Sequence, residues 1–89
     1  MMYLITYDLN KAGQNYNALY EQIQTAPKWI HLMESVWLIY TNESVALWQQ
    51  KLKKVMDDND NLFIVNITKQ TQNGWLPQNK WDWINKNNV

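Results

Sequence analysis

The sequence predicts one small α+β domain in which two helices and a C-terminal tail pack against a single sheet. β-forming runs alternate with two segments of helical periodicity, in the order β-α-β-β-α-β. With 89 residues the chain can bury one core, so we expect a single domain over residues 1–89, of which 69–89 form a C-terminal extension. This order is the split βαβ pattern, which predicts a ferredoxin-like sandwich.

The first strand is predicted by its composition and the first helix by its apolar periodicity. Residues 3–9 are rich in β-forming side chains and lead into a polar turn. We therefore expect a strand with Tyr7 and Asp8 on opposite faces. Residues 15–26 repeat apolar side chains at helical spacing, and Asn15 is a suitable N-cap for that helix.

The middle of the chain predicts a hairpin. Residues 29–33 and 36–41 are apolar and are separated by the short polar pair Glu34-Ser35, where a tight turn would join two strands. One long bent strand is the alternative. The run 36–40 has no polar alternation, so both faces of the second strand should be buried.

The second helix, the last strand and the tail complete the pattern. Residues 44–56 have a helical apolar stripe, and residues 62–68 are again apolar on both faces apart from Asn66. The acidic segment 57–61 lacks the glycine and the glutamate of a calcium loop, so we interpret it as a turn. Two helices cover only one face of such a sheet. We therefore expect the tail, with a short helix or turn over 80–84, or a second chain to cover the other face.

Charge and cysteine content restrict the function classes. Acidic and basic residues are equal in number, and every basic residue is a lysine. Because phosphate binding relies on clustered cations and favours arginine, strong binding to duplex nucleic acid is not expected. The chain has no cysteine, which suits a cytoplasmic protein. Its longest apolar run is far shorter than a membrane span, and its start has no basic signal-peptide region.

Aromatic residues form the largest group of candidate binding residues. Six tryptophans are many for so short a chain, and aromatic rings can stack on single-stranded bases or free nucleotides. The alternative is that the tail tryptophans close the open sheet face. His31 is the only histidine, and it is either a general acid or base or a packed strand residue. The candidate binding residues are Tyr7, Asn10, His31, Trp75, Trp81 and Trp83.

Asp8 is the candidate catalytic and metal-binding residue. It stands at the end of the first strand, where a carboxylate could hold Mg²⁺ or Mn²⁺ and activate water for phosphodiester cleavage. The alternative is that Asp8 caps a turn with Asn10.

Several segments also resemble a known family. Residues 3–10, Tyr-Leu-Ile-Thr-Tyr-Asp-Leu-Asn, resemble the first strand of CRISPR-associated protein 2, the small subunit of spacer acquisition, and more closely that of small proteins labelled SinR-like. The VapD toxin ribonucleases are a more distant relation of the same shape. The other similar segments are residues 18–23, 35–39, 57–65 and 74–77.

The resemblance implies a partner and a metal ligand. It implies a homodimer that packs through open sheet faces, sometimes with an exchanged C-terminal strand. In the CRISPR-associated family, the aspartate that ends the first strand is the metal ligand, and Asp8 stands at the matching position.

Two function hypotheses follow. The first is a dimeric binding module that grips a nucleotide, a nucleic acid or a protein in a phage–host conflict setting. The second is a metal-dependent phosphodiesterase or ribonuclease in which Asp8 of each subunit holds the ion. Neutral charge, the absence of arginine and the single candidate ligand favour the binding module.

Overall fold

A computed structural model describes residues 1–10 and 16–88. Four strands form one antiparallel sheet, and with three helices they confirm the predicted α+β class. Asn15, the predicted cap of the first helix, lies outside the described residues. The elements in chain order are β1 (Met2–Asp8), α1 (Asn17–Ile23), β2 (Lys28–Met33), β3 (Val36–Tyr40), α2 (Val45–Lys53), β4 (Asn61–Asn66) and α3 (Gln78–Asn87).

The sheet has the strand order β2-β3-β1-β4, in which every neighbouring pair is antiparallel. β1 is therefore a central strand, and β2 and β4 are the two edges. The turn at Glu34 and Ser35 joins β2 to β3, so the hairpin is correct and the single bent strand is wrong. This arrangement is compatible with a ferredoxin-like fold.

One face of the sheet, here called the helical face, carries α1 and α2. The two helices bury Leu19, Ile23, Trp48 and Leu52 against it. The α2 helix begins where predicted, because the Ser44 hydroxyl oxygen accepts a hydrogen bond from the Leu47 backbone N–H at 3.1 Å. The strand residues of this core are Tyr3, Ile5, Tyr7, Trp37 and Ile39.

The opposite face, here called the tail face, is partly covered by α3. Ile84 of α3 is buried against Met2, Leu32 and Leu38. The Lys80 ammonium donates a hydrogen bond to the Leu32 carbonyl, which ties the start of the helix to the edge strand β2. The tail thus contains a ten-residue helix where the sequence indicated only a short helix or turn.

The other half of the tail face stays open within the described chain. β3 is buried on both faces, as expected. The tail does not cover β4 on this face, since Phe63 is 62% exposed and Val65 is 37% exposed; cover by a second chain, the other expected arrangement, stays a prediction. The reason is geometric, because the tail packs on β2 and β3 and does not extend over β4.

No helix within residues 1–10 and 16–88 combines the length and the apolar character needed to span a bilayer.

The tail contact is testable with two substitutions on α3. Replacing the buried Ile84 with alanine should lower the free energy of unfolding by about 2–4 kcal/mol, because it leaves a cavity against Met2 and Leu38. Replacing the exposed Asn85 with alanine should change it by less than about 0.5 kcal/mol. Urea unfolding followed by circular dichroism measures both. Equal effects would mean that α3 does not pack on the sheet in solution.

Candidate functional site

A polar cavity of about 350 Å³ opens at the end of the sheet where β1 finishes and the β2–β3 turn begins. The two segments meet because β1 pairs with β3, and the Tyr7 N–H donates to the Ser35 carbonyl at 3.3 Å. Three of the residues that the sequence singled out come together here. The lining residues are Tyr7, Asp8, Leu9, Asn10, Tyr20, Glu34 and Ser35.

Tyr7 forms the buried wall of this cavity. Its hydroxyl oxygen accepts a hydrogen bond from the Trp37 indole N–H at 3.0 Å, and the hydroxyl donates to the Glu34 carbonyl at 3.5 Å. Burial raises the pKa of Tyr7 to about 12, so the phenol is neutral near pH 7. Tyr7 therefore holds the turn and the indole as a neutral phenol that both donates and accepts a hydrogen bond.

Asp8 is exposed at the end of β1, on the face opposite Tyr7 as predicted. It borders the polar cavity and also a shallow cavity of about 140 Å³ on the side of Phe63. An exposed carboxylate between two concave surfaces is accessible to a ligand from either side.

Asp60 lies in the predicted turn 57–61, and its carboxylate bonds to both that turn and the chain that leaves β1. Its carboxylate accepts hydrogen bonds from the Asn10 N–H at 2.8 Å, the Asp57 N–H at 2.9 Å and the Tyr16 hydroxyl at 3.1 Å. The Asn10 side chain adds a bond to the Asn59 carbonyl at 2.8 Å. The acceptor of the Asn10 N–H is thus Asp60, whereas the turn-cap hypothesis made Asp8 the capping residue.

The pKa of Asp60 shows which of two opposing effects is larger. Burial alone would raise the pKa of this carboxyl, but the donors from Asn10, Asp57 and Tyr16 hold it below its ordinary value. No sequence motif marks this role, because the donors come from residues up to fifty positions away. An aspartate in a polar turn is locally indistinguishable from one that is only solvated.

An aromatic platform lies beside the polar cavity on the helical face. We define it as the rings of Trp29, His31 and Tyr20 above the buried Trp37. The His31 ring stacks on Trp37 with centroids 4.0 Å apart and planes 9° apart, and Tyr20 lies 5.8 Å from the same indole. Trp29 is 40% exposed, because β2 is an edge strand with little helical cover.

Tyr20 connects the platform to the cavity. Its ring is 6.2 Å from His31 and 6.4 Å from Tyr7, and Tyr20 also lines the polar cavity. The His31 Nε2 atom lies 3.0 Å from the Glu34 carbonyl oxygen, so the histidine is anchored at the same turn. The aromatic platform and the polar cavity thus form one continuous surface at this end of the sheet.

The three tail tryptophans lie elsewhere. Trp81 and Trp83 are partly buried around Ile84 on the tail face, and Trp75 is fully exposed. The sequence-predicted site residues therefore divide into two groups, one at the end of the sheet where β1 finishes and the other around α3. Tyr7, Asp8, Asn10 and His31 belong to one end of the fold, and the tail tryptophans do not.

No cluster of three or more histidine or acidic side chains suited to a metal ion occurs within the described parts of the chain. Comparison with known proteins adds no identification, since no family model and no curated protein matches the sequence.

The role of Asp60 predicts a pH-dependent loss of stability on substitution. The variant Asp60→Asn replaces one of the two carboxylate oxygens with an amide NH₂ group, which cannot accept a hydrogen bond. Either the Asn10 N–H or the Asp57 N–H therefore loses its acceptor. We expect a loss of about 1–3 kcal/mol in the free energy of unfolding at pH 7. The control is Asp58→Asn, since Asp58 is exposed in the same turn.

The sign of the pH effect follows from the lowered pKa. The stabilisation by Asp60 is complete above the unfolded pKa of about 3.9, and it is lost as pH falls through the lower folded value. Denaturant unfolding between pH 2 and pH 7 should show the wild type and the Asp60→Asn variant converging in acid. Parallel curves would contradict the stabilising role of the ionised Asp60 carboxylate.

Proposed function

We propose that this chain is a binding module for an unpaired nucleobase, carried by a nucleotide or by single-stranded nucleic acid. The observation that supports it is the continuity of the aromatic platform with the polar cavity through Tyr20. A nucleobase has a flat face and a polar edge, and these need a ring surface and hydrogen-bonding groups side by side.

The platform would supply stacking. Trp29 and His31 are exposed residues on an edge strand. His31 lies flat on Trp37, whereas the Trp29 ring is tilted by 51° to the same indole at a centroid distance of 5.6 Å. Stacking of a base on an aromatic side chain contributes about 1–3 kcal/mol and depends little on the identity of the base. We therefore expect tolerance of several bases.

The cavity would supply the polar contacts. Among its lining residues Asp8 and Glu34 are acidic, and none is a lysine. Carboxylates accept hydrogen bonds from exocyclic amino groups and repel phosphate. The base should therefore point into the cavity and the phosphate towards solvent. Affinity should then fall only weakly with salt, because few lysines neutralise phosphate.

We extend the proposal to the fold type and to the biological setting that the resemblance to CRISPR-associated protein 2 implies. The strand order supports a ferredoxin-like domain similar to CRISPR-associated protein 2 and the SinR-like proteins. We propose a cytoplasmic homodimer that acts in a phage–host conflict setting. The uncovered strip of Phe63 and Val65 supports self-association, because exposed apolar strand residues on an open face favour a partner.

The binding proposal is testable by titration with CMP, AMP and a short single-stranded oligonucleotide, followed by calorimetry. Trp29→Ala should weaken binding roughly 5- to 150-fold, because it removes one stacking contact. Trp75→Ser is the matched control, since it removes an exposed indole from the opposite face. If the control loses affinity and Trp29→Ala does not, the platform is not the site.

A second candidate function is metal-dependent phosphodiester cleavage. It is favoured by one observation, that two acidic residues, Asp8 and Glu34, line the same cavity. Mg²⁺ or Mn²⁺ is normally held by one or two carboxylates together with water and substrate phosphates. A second copy of Asp8 in a homodimer would supply a further oxygen ligand.

The metal hypothesis predicts a stability change that Asp8 controls. Millimolar Mn²⁺ at a hundredfold excess over its dissociation constant should stabilise the wild type by about 2.7 kcal/mol, and Asp8→Asn should abolish this gain. Asp82→Asn, on the exposed surface of α3, is the control. RNA and DNA cleavage assays accompany the melting curves. Identical melting of wild type and Asp8→Asn with and without Mn²⁺ rules the metal site out.

A further inference from the structure

The tail face carries a cavity and an exposed tryptophan side by side. The cavity has a volume of about 400 Å³ and lies between the sheet, the segment 71–76 and α3. Leu4, Leu38 and Ile84 form its apolar floor and wall. Trp75 stands at its rim and is 100% exposed.

A fully exposed indole is an unusual feature in a folded chain. Tryptophan buries more apolar surface than almost any other side chain, and it is a typical anchor residue at protein interfaces. The chain after Trp75 is anchored, since Pro77, two residues later, is the N-cap of α3. Trp75 is therefore held away from its own core at the edge of an apolar cavity.

We infer that the Trp75 side chain of a second copy of this chain occupies the cavity, and that the exchange is reciprocal. The inference rests on the homodimer proposed above and names its anchor. Trp75 and the cavity lie on the same surface, so across a twofold axis each copy can insert its Trp75 into the cavity of the other. Such an interface closes the assembly at two copies.

The volume of the cavity suits this occupant. An apolar cavity of about 150 Å³ is large enough to take up benzene. A cavity of about 400 Å³ therefore has room for an indole with some of its flanking backbone.

Polarity favours a peptide occupant over a purely apolar ligand. The residues that line the cavity are uncharged, so two copies can approach without like-charge repulsion. One lining residue, Gln72, has a buried side-chain amide nitrogen without a hydrogen-bond partner among the described residues. An unpaired buried donor is costly, and the backbone carbonyls beside the incoming Trp75 are acceptors that a hydrocarbon lacks.

The cavity is also continuous with the open strip on β4. Leu4 lines the cavity and pairs in register with Val65. Phe63, two residues before Val65 on β4, lies on the same face of the sheet. One interface would thus cover the cavity, Trp75 and the strip together. The nucleobase site on the helical face stays accessible in this arrangement.

The experiment measures mass by light scattering and sedimentation between 1 and 100 μM, on the full chain, for the wild type and three variants. Trp75→Ser removes the anchor, and Thr71→Trp adds bulk at the exposed rim of the cavity. Each should raise the dimer dissociation constant at least about a hundredfold, because two anchors are lost or blocked per dimer. Trp29→Ser is the control and should leave the dissociation constant unchanged.

Acrylamide quenching of tryptophan fluorescence distinguishes the inserted from the exposed indole. The wild type should become less quenchable as its concentration rises through the dissociation constant, and Trp75→Ser should not. Circular dichroism establishes that both rim variants retain the fold.

Each outcome has a distinct meaning. A monomeric wild type at 100 μM overturns both the homodimer and the insertion. A dimeric wild type whose mass is unaffected by Trp75→Ser and Thr71→Trp leaves the homodimer standing and overturns the insertion. Folded, monomeric rim variants beside a dimeric control support it.

Discussion

Every layer of the protein contacts β1. This strand pairs with β3 on one side and β4 on the other, and its side chains are buried on both faces of the sheet. Tyr3 and Ile5 enter the helical core, while Met2 packs under Ile84 of the tail. The Ile67 N–H donates to the Met2 carbonyl at 2.9 Å, so the exit from β4 is bonded to the same strand. Loss of the β1 pairing would open both cores at once.

The position of β1 also explains why chemistry-bearing residues gather at one end of the sheet. Where β1 stops at Asp8, its neighbour β3 begins, and the turn before β3 brings Glu34 and Ser35 alongside. Asp60 then holds the chain as it leaves the strand, through the Asn10 N–H. The end of a central strand, with polar groups on two adjacent segments, forms a cavity that an isolated turn could not form.

The two faces of the sheet differ in how completely they are covered, and this difference separates the two proposed roles. On the helical face, α1 and α2 leave the edge strand β2 partly bare, so Trp29 and His31 remain available for stacking. On the tail face, α3 covers the β2 side and leaves Phe63 and Val65 on β4 uncovered. Stacking on the aromatic platform and self-association through the β4 strip would therefore use opposite faces of the sheet.

Much of the architecture was determined by the sequence alone. Helical periodicity, β-forming composition and uninterrupted apolar runs are properties of a few neighbouring positions, so they identified both main helices, the four strands and the face of the sheet on which Tyr7 lies. Asp8 and Asn10 could be placed at the end of the first strand for the same reason. The excess of apolar residues on the last strand was also visible, and it indicated that something must cover that face.

The tertiary structure decided which distant residues meet. Strand register brought Glu34 and Ser35 to Asp8. Two of the three donors to the Asp60 carboxylate, the Asn10 N–H and the Tyr16 hydroxyl, are remote in sequence. The direction in which the tail crosses the sheet separated Trp75 from His31 and left β4 open. These positions do not follow from local periodicity. Strand register and packing direction arise from contacts between segments that are far apart in the sequence.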